Sequence, residues 1–308
     1  NILGNNHVKD IVGNIVRTVL ESDWKTWATL GSSLSSLAEA SPEDFIATLK
    51  KVMRSSDFNF HDIFSQDPKD TSTYGGECCH SGLLWALETI AWHEDYFPQV
   101  AYLLAELSEL DKGGQYCNRP ANSLSSIFCP IVRQTNTSIV GRNSTLQALC
   151  KQYQTSGWAL LQKLLDTYYR GDTVSCNSRP SFRDWTIPSS FEHIAPKDIS
   201  DYFNSLRKLT LDFLEQKPEL VLELLEKNTG NIIYTEILEF IELKIDVFRK
   251  KDSEFINRIQ NSLRHLISFC YLEKEKKENK SSVKLINKAK KVIKDIGSNV
   301  LSEKYAWL

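Results

Sequence analysis

Two adjacent cysteines and a histidine, Cys78, Cys79 and His80, precede an apolar run in the sequence GGECCHSGLLWALETIAW. A cysteine beside a histidine at a helix N-terminus is an arrangement that can activate a thiolate nucleophile. The sequence identifies no third residue to orient the histidine, and cysteine is also common in protein cores as a small apolar residue. Packing at the start of a buried helix is therefore the preferred interpretation, and a thiol hydrolase is the alternative.

Metal and nucleotide chemistry have no recognisable motif in this chain. No C-x-x-C, H-x-x-x-H or H-E-x-x-H sequence occurs, so the spacing that zinc sites require is missing. Neither G-x-x-x-x-G-K-[ST] nor G-x-G-x-x-G is present. We therefore expect no catalytic residue, no metal ligand and no cofactor.

Composition limits the size of the core, the classes of partner and the cellular compartment that we expect for the chain. With 308 residues, of which 41% are hydrophobic and 25% charged, it is large enough to bury a sizeable core. A net charge of -2 provides no general attraction to nucleic acid or anionic membranes. Seven unevenly spaced cysteines in a chain of this size favour a reducing compartment. We expect a cytoplasmic protein with no membrane association, and the lack of an initial Met suggests a piece of a longer chain.

Helical periodicity dominates the sequence, and no strand-like alternation competes with it. Pro42, preceded by Ser41 and followed by acidic residues, marks a helix start. The run after Ser81 is apolar on most sides, which is typical of a central helix. The prediction is an all-α fold of stacked helical hairpins, irregular and α-solenoid-like, with long ordered loops. Helices are predicted over residues 8–20, 24–37, 42–54, 81–92, 95–110, 144–153, 158–169 and most of 197–296.

Two long stretches without a helical period, 113–142 and 171–196, interrupt this pattern. A loop of such length inside a compact domain is usually functional. We expect a helical lobe over residues 1–170, an irregular connection over 171–196, and a second helical lobe over 197–308 that ends in a basic helix.

The two irregular stretches contain the candidate binding residues, which are polar, charged or aromatic. Arg, Asn and Trp are residue types that recognise anionic or protein ligands. Alternatively, the arginines cap helix C-termini and pair with nearby acids, so that each loop is pinned to the scaffold; pinning is favoured for most individual residues. The candidates are Asn118, Arg119, Asn122, Arg133, Gln134, Arg179, Arg183, Asp184 and Trp185.

The C-terminal segment contains a row of lysines, Lys284, Lys288 and Lys291, at helical spacing beside an apolar row. A basic amphipathic helix of this kind can contact phosphates. A terminal helix whose lysines simply keep its outer face solvated is the more common case. Nucleic-acid binding is therefore a secondary hypothesis.

Four sequences, GGECCHSGLLWALETIAWHEDYFPQVAYLLAELSELDKGG, NRPANSLSSIF, RQT and SRPSFRDW, resemble a segment of large bacterial multidomain proteins associated with anti-phage defence, including STAND-type NTPases. The resemblance covers about residues 41–200. The family pattern has Gly-Gly-x-Tyr-His-Thr where this chain has GGECCHS, and a Trp before Gln-Thr that IFCPIVRQT lacks. The resemblance implies a helical C-terminal sensor or scaffold region and no catalytic residue.

These observations together predict a non-enzymatic protein-recognition region of a larger bacterial defence-type protein. Its partner would be a protein, either phage-derived or a neighbouring domain of the parent chain. The alternatives are a cryptic enzyme, such as a nuclease or a thiol hydrolase, and a nucleic-acid-binding helical scaffold.

Overall fold

The structure, a computed structural model, describes residues 2–55, 60–64, 78–114, 116–130, 135–170, 178–186, 195–227, 233–276 and 280–297. These residues form sixteen α-helices and a short 3-10 turn, with no strand among them. The predicted all-α fold is confirmed, whereas the solenoid-like stacking of hairpins stays a prediction. None of the described helices has the length and apolar character needed to cross a membrane.

The chain divides into two compact units, Asn1–Leu164 with Asp172–Tyr202, and Leu165–Gly171 with Phe203–Leu308. This division differs from the predicted one, because the segment expected to connect two lobes belongs largely to the first unit. The first ten helices are α1 (Ile2–Leu20), α2 (Trp24–Leu30), α3 (Ser33–Ala40), α4 (Pro42–Met53), α5 (Phe60–Phe64), α6 (Ser81–Ile90), α7 (Phe97–Leu110), α8 (Pro120–Phe128), α9 (Ile139–Gln152) and α10 (Gln154–Arg170). They are followed by α11 (Pro196–Gln216), the 3-10 turn Pro218–Leu220, α12 (Val221–Glu226), α13 (Tyr234–Leu243), α14 (Ile245–Phe248), α15 (Ser253–Lys276) and α16 (Lys280–Ile296).

Helix α6 lies at the centre of the first unit, as its sequence predicts. Nine of its ten residues are buried, and it packs against α2, α3, α7 and α8. It lies close to the turn after α2, where a Cβ added at Gly82 would be 2.2 Å from the carbonyl oxygen of Gly31. Gly31 itself has a positive φ of 49° and separates α2 from α3, so the continuous helix predicted over 24–37 is wrong.

Helix α8 was not predicted, because the stretch 113–142 shows no sustained period. It begins with Pro120 at its first position, where a missing N–H is tolerated. Leu124, Ile127 and Phe128 have the spacing of a buried helical face, but three of the other buried residues are serines. Serine reads as polar in a hydrophobicity pattern, which hides so short a helix. Helix α9 likewise begins at Ile139, earlier than the expected start at Ser144.

The second unit contains most of α11 together with α12, α13, α14, α15 and α16. Helices α15 and α16 pack against each other, α12 packs against α15, and α13 against α16. Fully buried residues along these contacts include Ile237, Leu263, Ala289 and Val292. The helix predicted through residues 232–250 is divided at Lys244 into α13 and α14.

Candidate functional site

A cavity of about 370 Å³ lies between one face of α6 and the N-terminal half of α8, in the first unit. Its wall combines hydroxyl, amide, thiol, aromatic and carboxyl groups. It is lined by Cys78, Ser81, Trp85, Glu88, Tyr116, Cys117, Asn118, Asn122, Ser123 and Ser126. The structure therefore brings Asn118 and Asn122, two of the predicted binding residues, together with the first cysteine of the CCH sequence.

Cys78 and His80 are close enough to interact, but their protonation states oppose thiolate chemistry. The Nε2 atom of His80 lies 3.1 Å from Cys78 Sγ and 2.6 Å from the carbonyl oxygen of Asn118. A carbonyl oxygen only accepts, so Nε2 carries a proton, and the ring nitrogen left to accept a hydrogen bond from the thiol is Nδ1, 3.4 Å from Cys78 Sγ. Burial lowers the pKa of His80 and raises the pKa of Cys78, which favours a neutral imidazole and a thiol.

The packing interpretation of the CCH sequence is supported by the surroundings of His80, whose side chain is only 2% exposed. Its ring lies 5.2 Å from the ring of Phe64 and 6.4 Å from that of Tyr116, centroid to centroid. The hydrogen bond from Nε2 to Asn118 fastens the loop before α8 to the start of α6. His80 therefore joins three segments of the first unit.

Arg119 pins the loop between α7 and α8. It is buried, and its Nη1 atom donates to Asp111 Oδ1 at 3.1 Å and to the carbonyl oxygen of Phe64 at 3.3 Å. Its Nε atom donates to the carbonyl oxygen of Tyr116 at 3.4 Å. The capping and pairing role considered for the loop arginines thus describes the contacts of Arg119, and its role as a ligand contact stays a prediction.

Asn122 uses both ends of its amide within the protein. Its Nδ2 atom donates to the carbonyl oxygen of Cys117, and its Oδ1 atom accepts a hydrogen bond from Lys163. Asn122 therefore lines the cavity with an amide whose nitrogen and oxygen are both already hydrogen-bonded within the protein. Arg133 and Gln134, the other candidates of this stretch, lie outside the described residues.

The second candidate stretch, which we call the 178–186 loop, is held by a buried carboxylate that the sequence did not single out. Glu39, in the last turn of α3, is 1% exposed. Its two oxygens accept the backbone N–H of Ser181 at 2.8 Å, that of Phe182 at 2.7 Å and that of Arg183, and also the Ser181 hydroxyl at 2.9 Å. Burial, the largest effect, raises the pKa of Glu39, but these hydrogen bonds together outweigh it and hold the pKa below its ordinary value.

Arg183 completes the attachment from the loop side. Its Nε atom donates to the carbonyl oxygen of Glu39 at 3.1 Å, and its Nη2 atom donates to that of Ala40 at 3.0 Å. These are two of the last carbonyls of α3, which have no partner inside the helix. The guanidinium of Arg183 therefore caps α3, and its role as a ligand contact stays a prediction.

Both ends of the 178–186 loop are also fixed. Trp92, after α6, donates its Nε1–H to the carbonyl oxygen of Ser178 at 2.9 Å. Asn136 donates its Nδ2–H to the carbonyl oxygen of Trp185. The loop backbone is thus attached at its start, centre and end within the first unit.

This fixed backbone exposes three of the predicted residues, Arg179, Arg183 and Asp184, and one residue that was not predicted, Phe182. Phe182 is 59% exposed, and Arg179 and Asp184 are exposed beside it. The Arg179 guanidinium lies 5.7 Å from the ring of Trp92. Trp185 is half-buried and forms an aromatic cluster in which its ring centroid is 5.5 Å from that of His93 and 6.3 Å from that of Tyr96.

Arg142 is a further anchoring residue that sequence analysis missed. Its fully buried guanidinium donates to the carbonyl oxygens of Ile127, Cys129, Thr135 and Thr137, and to the Thr135 hydroxyl, at 2.5 to 3.3 Å. It therefore holds the segment between α8 and α9. A charged residue inside a stretch without periodicity has no sequence signal that distinguishes such burial from exposure.

The lysines of the C-terminal helix are largely engaged with acids of α13. Lys288 pairs with Glu239 at 2.6 Å and Lys291 with Glu242 at 3.1 Å, whereas Lys284 is exposed. Such pairing neutralises two of the three charges proposed for phosphate contact. Among the described residues, no group of three or more His, Cys, Asp or Glu is placed to hold a metal ion.

Comparison with known proteins does not assign a family or a function to the chain. No family model, no curated protein and no solved structure matches the chain. The resemblance to bacterial anti-phage proteins therefore stays a prediction.

Proposed function

We propose that the chain is a non-enzymatic protein-recognition region, the sensor or scaffold part of a larger bacterial defence-type protein, which binds its partner through the 178–186 loop. The observation that carries the proposal is Phe182, an exposed aromatic side chain on backbone that is fixed at residues 181–183 by the buried carboxylate of Glu39.

A fixed exposed aromatic residue is well suited to binding a protein. Ordering a loop on association costs free energy, and this loop is already ordered by Glu39 and Arg183. Aromatic and arginine side chains are over-represented among the residues that contribute most to protein interfaces. Arg179 and Trp185 lie in the same loop as Phe182 and would flank it in a contact.

The pinning of the loop and its recognition role are compatible. Glu39 and Arg183 explain why the loop is ordered, and neither interaction requires an exposed phenylalanine at position 182. The partner that we propose is a cytoplasmic protein, either phage-derived or a neighbouring domain of the parent chain, and the stacked helices would serve as the scaffold that positions the loop.

Two observations make us prefer this proposal to the alternatives. Burial raises the pKa of Cys78 and lowers the pKa of His80, and both shifts disfavour the thiolate–imidazolium pair that a thiol hydrolase would use at the cavity. The pairing of Lys288 and Lys291 with Glu239 and Glu242 reduces the positive charge that a phosphate backbone would meet.

The experiment is affinity capture from phage-infected bacteria, with the wild-type chain and two variants as bait. The variant F182A removes the exposed ring of the loop, and F269A is the matched control, because Phe269 is a 38% exposed phenylalanine on α15 in the second unit. Proteins captured by the wild type are identified by mass spectrometry, and binding of the purified partner is then measured by interferometry.

We expect the partner to bind the wild type and F269A equally. We expect F182A to weaken binding by about 2 kcal/mol or more, the loss that defines a dominant interface residue. The melting temperature of F182A should stay close to that of the wild type, since Phe182 is 59% exposed, and F269A should show at least as large a shift, since Phe269 is more covered. If F182A captures the partner as well as F269A does, the 178–186 loop is not the recognition surface.

A further inference from the structure

The cavity between α6 and α8 has oppositely charged ends and takes no part in the proposed protein recognition. Ser81, Trp85 and Glu88 have the i, i+4, i+7 spacing of one face of α6, so this wall is about 10 Å long at the rise of an α-helix. The volume of about 370 Å³ falls within the range of about 300 to 1,000 Å³ that is usual for small-molecule sites.

The charge along this wall runs from positive to negative. The Ser81 end is the N-terminus of α6, where the backbone N–H groups carry partial positive charge. Glu88 is at the other end, 4% exposed, and its Oε1 atom accepts the Ser123 hydroxyl at 2.6 Å. Among the described residues that line the cavity, Glu88 has the only carboxyl group, and none of them has a basic side chain.

Two aromatic residues stand in the same wall as the carboxyl group. Trp85 lies one turn before Glu88 on α6, and Tyr116 belongs to the loop before α8; both are half-buried. Aromatic faces attract organic cations, and a carboxylate supplies a charge-assisted hydrogen bond to a cationic N–H donor. The ammonium of Lys163 donates to Asn122 Oδ1, and Lys163 is not among the described residues that line the cavity.

We propose that this cavity binds a small organic cation with N–H donors, of the amidinium, guanidinium or primary ammonium class, with its charge at Glu88 and its carbon skeleton against Trp85. The inference does not rest on the proposed protein-recognition function. The alternative is that Glu88 only fastens α8 to α6 through Ser123, which would create no preference for a charged ligand.

The test is isothermal titration calorimetry of the 308-residue chain with benzamidine, with benzamide as its uncharged counterpart of nearly the same shape. We expect benzamidine to bind about tenfold or more tightly than benzamide, which is the contribution of one hydrogen bond to a charged group. The variant E88Q retains an oxygen for the Ser123 hydroxyl but loses the charge, so it should bind both compounds equally weakly.

A second readout uses the wild type alone and stands even if E88Q does not fold. Cys117 is exposed and lines the cavity, so bound benzamidine should slow its alkylation more than benzamide does at equal concentration. Nα-acetyl-arginine methylamide separates two sources of the cation: tighter binding of this compound than of benzamidine indicates a protein side chain, and weaker binding indicates a free small molecule.

The proposal is overturned if neither compound binds nor protects Cys117 at millimolar concentration. It is also overturned if benzamide binds as tightly as benzamidine, or if folded E88Q still prefers benzamidine, because the recognition would then not depend on the carboxylate of Glu88.

Discussion

Replacing Glu39 with glutamine (E39Q) is expected to release the 178–186 loop from α3. The carboxylate accepts three backbone N–H groups and one hydroxyl, two bonds on each oxygen. A glutamine has one acceptor oxygen, so two of these bonds are lost and its NH2 group faces N–H donors. At about 1.5 kcal/mol or more for each hydrogen bond to a charged group, the docked loop should lose about 3 kcal/mol.

Amide hydrogen exchange of residues 181–183 measures this loss directly. A loss of about 3 kcal/mol corresponds to about a hundredfold faster exchange, because each 1.4 kcal/mol is a factor of about ten. Trypsin cleavage after Arg183 should accelerate in parallel, since the loop opens. The matched control is E43Q, because Glu43 is an exposed glutamate on α4 that accepts one bond, from the Tyr96 hydroxyl at 3.2 Å; its effect should stay within about 0.5 kcal/mol.

The pH dependence of the wild type provides an independent check. The pKa of Glu39 is lower in the folded protein than its ordinary value of 4.5, so the unfolded chain binds this proton more tightly. The stability that the carboxylate contributes is therefore present above pH 4.5 and is lost as the pH falls through the folded-state pKa. E39Q should lack this loss. Unchanged amide exchange at residues 181–183 in E39Q would refute the reasoning.

Two further predictions concern the core and the cysteines. The variant G82A should destabilise the protein by about 1 to 3 kcal/mol, measured by urea denaturation, because the new methyl group would lie 2.2 Å from the Gly31 carbonyl oxygen; an unchanged midpoint would show that α6 and the turn after α2 can separate at little cost. Cys117 should be alkylated before Cys78 in the native protein at pH 8, because Cys117 is exposed while burial raises the pKa of Cys78. Faster labelling of Cys78, followed by peptide mass spectrometry, would revive the thiol hydrolase hypothesis.

The accuracy of the sequence predictions follows the length of each helix and the residues that form its buried face. Helices α4, α6 and α7 have aliphatic faces over ten or more residues and were placed close to their observed bounds. Helix α8 is short and buries serines, whose hydroxyls bond to a carbonyl one turn earlier or to Glu88, and this burial cannot be seen in a hydrophobicity pattern.

The candidate binding residues show the same limit. The sequence shows where the irregular stretches lie, and their arginines are compatible with two roles, ligand binding or pinning. The described structure places Arg119 and Arg183 in the pinning role, and it brings Phe182 to the surface although the sequence analysis had passed it over. Arg183 lies 144 positions from Glu39, whose carbonyl it caps, and Arg119 lies 55 positions from Phe64 and 8 from Asp111. These contacts join different segments of the chain, so the sequence pattern does not indicate them.

The sequence by itself determined that this chain is helical, because the spacing of apolar residues and the helix-start signals are local properties of the chain. Only the tertiary structure decided which polar residues are buried. Glu39, Glu88 and Arg142 are inside because each meets hydrogen-bonding groups of another segment, and these partnerships offset the cost of removing a charge from water. The same packing fixes the 178–186 loop and encloses the cavity, which is why both were identified from the structure.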